Sequence, residues 1–381
     1  MNVVNTSFSS VILILVLTVP SCSQERLFDV QHSAVIGNFS LPSKVAVRDF
    51  NMDSFNDIMV ACDSGLVILL NDGKGNFTQP NGSPFKAGNK PADIALADFN
   101  SDGNIDAAIP NHETNEISLL FGDGKGHFRK SEEHSLQLEF NPHAHSAAAG
   151  DLNKDNKIDL VATSFLGSEL FILFGNGKGG FSKEISRITV PHYPYRNVII
   201  YDINRDNNPD IITPANNSNA ITDLRGDGKG GFLPARNSPY EIGENPFFVS
   251  IADFNNDGYS DIIATNFDSG LVSVLPGNEE NNFDLSGLKS FKVGRKPVYI
   301  ATGDLNMDGL IDAVCANYES SNISILMGNK VSIFSPEISI IPVGTSPYGV
   351  AIGDLNSDDQ PDIVTANYES NDITILYNQS R

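Results

Sequence analysis

Seven times along this chain an Asp is followed by an Asn after two residues, by an Asp after four and by another Asp after eight. The copies begin at Asp49, Asp98, Asp151, Asp202, Asp253, Asp304 and Asp354. Three carboxylates and an amide oxygen within nine residues repel one another unless a hard cation lies between them, and Ca²⁺ takes about six to eight oxygen ligands. The pattern therefore predicts up to seven bound calcium ions.

Every copy keeps all four oxygen donors. The predicted metal ligands are Asp49, Asn51, Asp53, Asp57, Asp98, Asn100, Asp102, Asp106, Asp151, Asn153, Asp155, Asp159, Asp202, Asn204, Asp206, Asp210, Asp253, Asn255, Asp257, Asp261, Asp304, Asn306, Asp308, Asp312, Asp354, Asn356, Asp358 and Asp362. A turn rich in Asp and Asn but without metal is the alternative for a single copy. The sixth loop position needs a left-handed backbone, and Ser54 suits it least, so the first loop is predicted to bind calcium most weakly.

The charge of the chain agrees with bound cations. The formal net charge is −22, and seven loops with three carboxylates each account for 21 of the 47 acidic residues. Seven Ca²⁺ ions would bring the net charge to −8. An acidic chain without a basic stripe repels phosphate backbones, so nucleic acid is excluded as a predicted partner.

The spacing of the copies, 49 to 53 residues, also predicts the architecture. Each unit holds short apolar runs separated by polar turns, and such sheets must cover one another's apolar faces. The predicted fold is all-β, a seven-bladed β-propeller of four-stranded antiparallel blades. A Gly-rich segment such as 122–126 is predicted to be a hairpin turn, because a phosphate-binding loop would need a following helix and a Lys-Ser/Thr pair.

The two ends of the chain predict how the ring closes. The last unit stops after three strands, whereas residues 26–37 resemble the fourth strands of other units. An N-terminal strand is therefore predicted to complete the last blade, which removes an open sheet edge. Residues 25–381 are predicted to form one propeller domain.

Residues 251–270 (IADFNNDGYSDIIATNFDSG) and 351–370 (AIGDLNSDDQPDIVTANYES) resemble FG-GAP or VCBS repeats. These repeats build the integrin α-subunit head and many bacterial surface proteins. The resemblance implies a seven-bladed propeller with Ca²⁺ in blade loops on one face, and frequent roles in adhesion or glycan binding. It does not imply a single activity, because related propellers include lectins, lyase and dehydratase domains and scaffolds.

The N-terminal segment predicts export. Residues 11–19 (VILILVLTV) form an apolar run too short to span a bilayer, which is typical of a secretory leader over residues 1–23. A loose lipobox ending at Cys22 makes a lipidated N-terminus the alternative to cleavage near Ser23, and this lipid would be the protein's membrane contact. The protein is predicted to be secreted or at the cell surface, with Cys62 and Cys315 as buried free thiols.

The face opposite the calcium loops is the predicted ligand face, since the second turn of each blade and the connections between blades meet there. A Pro lies seven residues before five of the calcium loops, but Ala144 and Tyr195 replace it in blades three and four. The predicted ligand residues cluster around this departure: His112, His143, His145, His192, Tyr193, Tyr195 and Arg196. The Asn-aromatic pairs of the second turns have two interpretations, as ligand contacts or as turn chemistry.

Two functions are compatible with these residues. The predicted function is a monomeric, exported, calcium-binding propeller that acts as an adhesion or glycan and protein recognition module, is not an enzyme and uses calcium structurally. The alternative is a polysaccharide-active lyase or dehydratase-like enzyme with His143 or His145 as general base beside Tyr195 or Arg196. A transition-metal site formed by the His residues is a further alternative.

Overall fold

The computed structural model describes residues 27–28, 30–132, 136–137, 144–164, 167–216, 218–280 and 282–380. Seven antiparallel sheets follow one another along these residues and form the blades of a β-propeller, which confirms the predicted fold. We number the blades one to seven in chain order. First strands contact the first strands of neighbouring blades around most of the ring, so they surround its axis.

Each blade is a meander in which consecutive strands pair. The strands of blade one are Lys44–Arg48, Asp57–Cys62, Gly65–Asn71 and Phe77–Thr78. Those of blade two are Ala95–Ala97, Asp106–Pro110, Glu116–Gly122, Phe128–Lys130 and Leu136–Gln137. Those of blade three are Ala144–Gly150, Asp159–Ser164, Glu169–Leu173 and Ser186–Thr189. In blade two the last two strands both pair with the third and share the position of a single fourth strand.

Blades four to seven repeat this order. The strands of blade four are Tyr193–Pro194, Ile199–Tyr201, Asp210–Asn216, Ala220–Gly226, Phe232–Pro234 and Tyr240–Glu241, and those of blade five are Pro246–Ala252, Asp261–Asn266, Leu271–Leu275 and Lys289–Lys292. Blade six consists of Pro297–Gly303, Asp312–Asn317, Asn322–Leu326 and Ser339–Pro342, with a small hairpin of Gly328–Asn329 and Ile333–Phe334. Blade seven consists of Pro347–Gly353, Asp362–Asn367, Asp372–Leu376 and Ser33–Gly37. Three short 3₁₀ helices, Val30–His32, Leu285–Gly287 and Tyr318–Ser320, complete the regular structure of the described residues.

Blade four departs from the repeat at its first strand, which is broken between Pro194 and Ile199. Asn197, within the break, accepts a hydrogen bond on its side chain from the backbone N–H of Val249 in blade five (3.0 Å). Its carbonyl accepts from the Thr213 hydroxyl (2.8 Å). These side-chain bonds replace part of the backbone ladder, so the residues of the break need not follow the sheet.

The N-terminal strand closes the ring as predicted. Ser33–Gly37 pairs antiparallel with Asp372–Leu376, so the last blade takes its fourth strand from the beginning of the chain. The backbone N–H of Gln379 donates to the carbonyl of Leu27 (2.8 Å), which joins the two ends a second time. Closure therefore depends on both ends of the described chain.

The hydrophobic core consists of seven clusters, and each lies between two consecutive blades. One cluster joins blade seven to blade one and includes Val47, Ile58, Val364 and Ile375. Because every blade buries both faces against its neighbours, the second strands are buried along their whole length rather than at alternate residues.

Cys62 and Cys315 are buried free thiols, as predicted. Burial raises the pKa of both thiols, so neither is a ready nucleophile at neutral pH. The predicted leader at residues 1–23 and the alternative lipidation site at Cys22 lie outside the described residues. In the described ranges, no helix is long and apolar enough to cross a membrane.

Ring closure predicts unequal effects of substitutions at two adjacent residues of the N-terminal strand. Ile36 packs against the cluster between blades seven and one, whereas the Val35 side chain is 63% exposed. Ile36→Asp should lower the free energy of unfolding by about 2 kcal/mol, because a carboxylate replaces an apolar core contact. Val35→Asp should change it by less than about 0.5 kcal/mol.

Urea unfolding of the two variants and the parent measures this difference. Equal effects of the two substitutions would show that the N-terminal strand does not occupy the last blade in solution.

Candidate functional site

The seven Asp-rich loops join the first and second strands of their blades and share one hydrogen-bond pattern. In blade five the backbone N–H of Asp257 donates to Oδ1 of Asp253 (3.1 Å) and to Oδ1 of Asn255 (2.9 Å). The N–H of Gly258 donates to Oδ2 of Asp253 (2.8 Å). Equivalent bonds occur in the other six loops. The sixth residue of every loop has the predicted left-handed backbone, including Ser54 with φ of 74°.

The last Asp of each loop is fully buried and ties the loop to the third turn of its blade. In blade five Asp261 accepts hydrogen bonds from the backbone N–H groups of Phe254 (2.9 Å) and Gly277 (2.8 Å). Burial, with added repulsion from Asp257 and Asp253, raises the pKa of Asp261 to about 7 despite these two bonds. The same causes raise the pKa of Asp106 and Asp362 to about 7, and those of Asp57, Asp159 and Asp312 to about 6.

The donor chemistry of these loops fits a hard cation. Each loop gathers three carboxylates and an amide oxygen, and a carboxylate oxygen that accepts one hydrogen bond keeps a further acceptor site. Among the described residues, ion pairs reach these carboxylates in blades three and four only. In the part of the chain that the structure describes, no three or more His, Cys, Asp or Glu side chains are arranged so that together they could hold a metal ion. The calcium assignment thus depends on donor type and charge.

A pocket of about 280 Å³ lies at the axis on the opposite face, which the second turns and the connections between blades surround. Six of the seven blades contribute to it. It is lined by Leu41, Ser43, Asp63, Lys90, Pro91, Ala92, His112, His145, Arg196, Tyr318, Tyr348 and Tyr368.

The same backbone hydrogen bond positions an aromatic or imidazole side chain at the end of the second strand in four blades. The residue before the first-strand proline is left-handed, as at Lys90 (φ 52°), and its carbonyl accepts the N–H of the ring residue, as from His112 (2.9 Å). The equivalent pairs are Asn245 with Phe267, Lys296 with Tyr318, and Ser346 with Tyr368. The rings of His112, Tyr318 and Tyr368 are thereby directed to the pocket.

The Asn before each ring has a structural role. Asn111, Asn266, Asn317 and Asn367 are fully buried. Their side-chain amides donate to hydroxyl groups of the third strand, as from Asn317 to Ser324 (2.9 Å). Of the two interpretations of the Asn-aromatic pairs, turn chemistry therefore applies to the Asn, whereas three of the rings line the pocket.

Four of the predicted ligand residues meet in one cluster. The ring centroids of His112 and His145 are 5.3 Å apart, and those of His145 and Tyr195 are 4.1 Å apart. The guanidinium of Arg196 lies 4.1 Å from the Tyr195 ring. His112, His145 and Arg196 line the pocket, and Tyr195 packs behind them. His192 and Tyr193 do not line it, and Tyr193 points outward with 37% exposure. His143 lies outside the described residues.

Arg196 holds a positive charge that no described carboxylate neutralises at ion-pair distance. Its Nη1 contacts Nε2 of His145 (3.1 Å) and the Tyr348 hydroxyl (3.3 Å). Its plane is held between the rings of Tyr195 and Phe247, and its Nε is buried without a hydrogen-bond partner. Because a guanidinium only donates, this contact assigns the acceptor role to Nε2 of His145.

A buried ion pair forms the floor of the pocket. Lys44 Nζ lies 2.8 Å from Asp93 Oδ1, and their side chains are 13% and 8% exposed. The Ser146 hydroxyl donates to the other Asp93 oxygen (2.6 Å). Burial alone would lower the pKa of Lys44, but Asp93 and Tyr299 outweigh it, so this pKa lies above its usual value. A cavity of about 20 Å³ lies beside this pair, and its lining includes Lys44, Asp93, His145 and Arg196.

The motifs along the sequence did not indicate Asp63, Lys90, Lys44 or Asp93 as site residues. A signal for the floor was present, because residues five before each loop form one column of the repeat: Lys44, Asp93, Ser146, Asn197, Phe248, Tyr299 and Gly349. The column six before each loop contributes Ser43, Ala92, His145, Arg196 and Tyr348 to the pocket. Comparing equivalent positions of the seven repeats, rather than motifs along the chain, identifies both the pocket position and the floor position.

A ring of seven such blades, with Asp-rich loops on one face and an axial pocket on the other, defines a class of repeat β-propeller. The profile of the FG-GAP-like repeat matches residues 49–109, 151–213, 202–264, 253–315 and 304–365, which cover most of the chain. The chain therefore belongs to the FG-GAP-like repeat family, as the resemblance implied. No curated protein matches its sequence significantly.

Solved structures share the fold at low sequence identity. The BBS1N domain in complex with ARL6DN is similar with a TM-score of 0.64 and 10% identity over 92% of this chain and 97% of that chain. A catalytically inactive variant of virginiamycin B lyase from Staphylococcus aureus, with quinupristin, is similar with a TM-score of 0.57 and 18% identity over 91% of this chain and 98% of that chain. An Agrocybe aegerita lectin that recognises non-reducing terminal N-acetylglucosamine is similar with a TM-score of 0.54 and 16% identity over 86% of each chain.

The pocket floor predicts strong coupling between Lys44 and Asp93. Removing one partner of a buried ion pair typically costs about 3–5 kcal/mol, whereas removing both costs far less. Lys44→Met and Asp93→Asn should each lower the free energy of unfolding by several kcal/mol, and the double variant should lose less than the sum. Denaturant unfolding of the four proteins measures the coupling. Additive losses would contradict a direct pair.

Proposed function

We propose that this protein is an exported, calcium-stabilised recognition module whose axial pocket binds an acidic glycan. The observation that carries the proposal is the charge of Arg196, which lies in the pocket without a carboxylate at ion-pair distance among the described residues. A carboxylate is the group that a guanidinium binds best, because two parallel hydrogen bonds accompany the charge attraction. A ligand carboxylate would supply the missing partner.

The walls of the pocket suit a sugar ring. Tyr318, Tyr348 and Tyr368 offer aromatic faces with a hydroxyl at the edge, and such rings contribute apolar contact together with hydrogen bonds. Asp63 and Lys90 add polar groups at the rim, where Lys90 also pairs with Glu113. A volume of about 280 Å³ is at the small end of ligand pockets and favours the end of a glycan chain over a long segment.

Similar propellers support a recognition role in general terms. One binds a protein and another recognises a terminal sugar, so this fold serves both kinds of partner. Because identity to them is low, only the fold carries over, and the ligand class is argued from Arg196. A protein partner that inserts an Asp or Glu side chain would satisfy the same pocket and is a second outcome of the test below.

An enzyme in the same pocket is the alternative function, and a virginiamycin B lyase and a streptogramin B lyase with the same fold favour it. A general base needs a ring nitrogen available to the substrate. Nε2 of His145 contacts the guanidinium of Arg196 instead, at 3.1 Å. The arrangement therefore favours binding over proton abstraction by His145.

Calcium is proposed as the structural partner of the Asp-rich loops. Each loop concentrates negative charge around a buried Asp that connects two turns of its blade, as Asp261 does in blade five. A bound dication would compensate this charge and fix the hairpin. An exported protein meets far more calcium than one inside a cell, so the proposed localisation and the proposed ion agree.

Calcium removal should destabilise the protein, because each site that is saturated at about 100 times its Kd contributes about 2.7 kcal/mol. Chelation should therefore lower the melting temperature, and added Ca²⁺ should restore it. Asp257→Ala should reduce the number of bound ions by one, whereas Glu279→Ala removes an exposed carboxylate of the same blade outside the loop and should not. A melting temperature that ignores both chelator and Ca²⁺ would refute the structural role.

The ligand proposal predicts that a glycan array selects carboxylate-bearing sugars. Calorimetry with the best binder should show about a ten- to one hundred-fold loss of affinity in Arg196→Gln, since hydrogen bonds to charged groups contribute about 1.5–3 kcal/mol. The neutral counterpart of that sugar should bind to the parent protein about as weakly as the acidic sugar binds to Arg196→Gln. Arg295→Gln is the matched control, because Arg295 is 73% exposed and pairs with Glu319 outside the pocket lining.

Three results would change the assignment. Selection of neutral sugars alone, or no effect of Arg196→Gln, would contradict an acidic ligand. Binding of acidic peptides but not sugars would assign the pocket to a protein partner. Depolymerisation of a uronic-acid polysaccharide that is lost in His145→Ala would establish the enzyme.

A further inference from the structure

Blade four contains an ion pair at its Asp-rich loop that the described residues show in no other blade at this position. Nη1 of Arg225 lies 3.3 Å from Oδ2 of Asp210, the buried last Asp of the loop. Nη2 of the same guanidinium lies 2.8 Å from Oδ2 of Asp223. Both Asp side chains are fully buried, and the Arg225 side chain is only 17% exposed. The guanidinium therefore bridges two carboxylates in the interior.

The other six blades act as internal controls for this pair. Asp223 and Arg225 precede by three residues and by one residue the Gly226 whose N–H donates to Asp210. In the other blades the equivalent positions are all apolar or aromatic: Ile68 and Leu70, Leu119 and Phe121, Ile172 and Phe174, Val274 and Pro276, Ile325 and Met327, and Ile375 and Tyr377. Both polar residues are thus specific to blade four.

The guanidinium supplies a positive charge at the buried last Asp of the loop, which no ion pair among the described residues does in another blade. An Arg side chain is permanently protonated, so it compensates Asp210 at any physiological pH. A Ca²⁺ ion bound through Asp210 would lie next to this charge and would be repelled by it. Moving Arg225 aside would leave Asp223 buried without its counter-charge, and Oδ1 of Asp223 already lacks a hydrogen-bond partner.

Blade three also has a cation at its loop, but there the contact is of another kind. Lys157 reaches Oδ2 of Asp155 at 2.9 Å from an exposed position. In blades one, two, four, six and seven the equivalent oxygen accepts a hydrogen bond from the loop's own Asn side chain. Lys157 therefore replaces a contact of the loop periphery, whereas Arg225 contacts the buried carboxylate itself.

We propose that the Asp223–Arg225 pair replaces calcium in blade four, so that the protein binds six calcium ions and not seven. The inference depends on the proposed calcium role of the other loops. The geometry thus directs the weakest site to blade four rather than to blade one, where Ser54 adopts the same turn and donates to Asp49 at 2.8 Å as its counterparts do.

Calcium content per chain tests the inference directly. We expect elemental analysis after equilibrium dialysis against Ca²⁺ to find six ions in the parent protein. Asp206→Ala removes a blade-four donor and should leave six, whereas Asp257→Ala removes the equivalent donor of blade five and should leave five.

A gain of one ion is the sharper result. Asp223→Ile/Arg225→Leu gives blade four the apolar pair that blade one has at Ile68 and Leu70. It leaves Asp210 as a buried carboxylate without an ion pair, so that a bound Ca²⁺ would have to compensate it, as proposed for the other blades. This double variant should bind seven ions, and adding Asp206→Ala to it should return the content to six. Its melting temperature should depend on Ca²⁺ more strongly than that of the parent, which gives a readout independent of ion counting.

The possible failures are distinguishable. Seven ions in the parent, or a loss of one ion on Asp206→Ala alone, would overturn the replacement of calcium by Arg225 while leaving the calcium role intact. Six ions in both the parent and the double variant would also overturn it, because the missing ion would then belong to another loop. No bound calcium in any of the proteins would overturn the calcium role itself, and this inference with it.

Discussion

The burial of one carboxylate in each blade is the constraint on which the rest of the structure depends. Each such Asp accepts N–H groups from its own loop and from the third turn, so it joins two of the three turns of a blade, as Asp261 does. Burying a negative charge beside two further carboxylates is unfavourable unless a positive charge compensates it. Six blades leave this to the proposed cation, and blade four uses Arg225.

The repeat builds the opposite face from the same frame. The positions seven, six and five residues before each loop have different roles. The first is usually a proline, the second lines the pocket in five blades, and the third lines the small cavity beneath it in four. Because seven blades present these positions to one axis, residues about 50 apart in sequence become neighbours. His145 and Arg196 meet in this way in the pocket, as Lys44 and Asp93 do below it.

Local sequence was sufficient for the fold and for the loops. The Asp spacing, the Gly-rich turns and the unpaired last unit predict seven blades and a closing N-terminal strand, because each is a property of a short segment. Neighbours across blades were harder to predict. Tyr193 lies three residues from Arg196 but does not line the pocket, and the strand is interrupted after Pro194. Lys44 pairs with Asp93 only once the ring has formed. Arg225 reaches Asp210 across paired strands, which a linear pattern does not reveal.

The central claim is that positive charge balances a buried Asp in every blade, from calcium in six and from Arg225 in one. Anomalous diffraction from crystals grown with Ca²⁺ tests it most directly, because it locates each ion. The account predicts six anomalous peaks, each within about 2.3–2.6 Å of the Asp and Asn oxygens of a loop, and none in blade four. Crystals without peaks in the loops, or with a peak bound to Asp210, would contradict it.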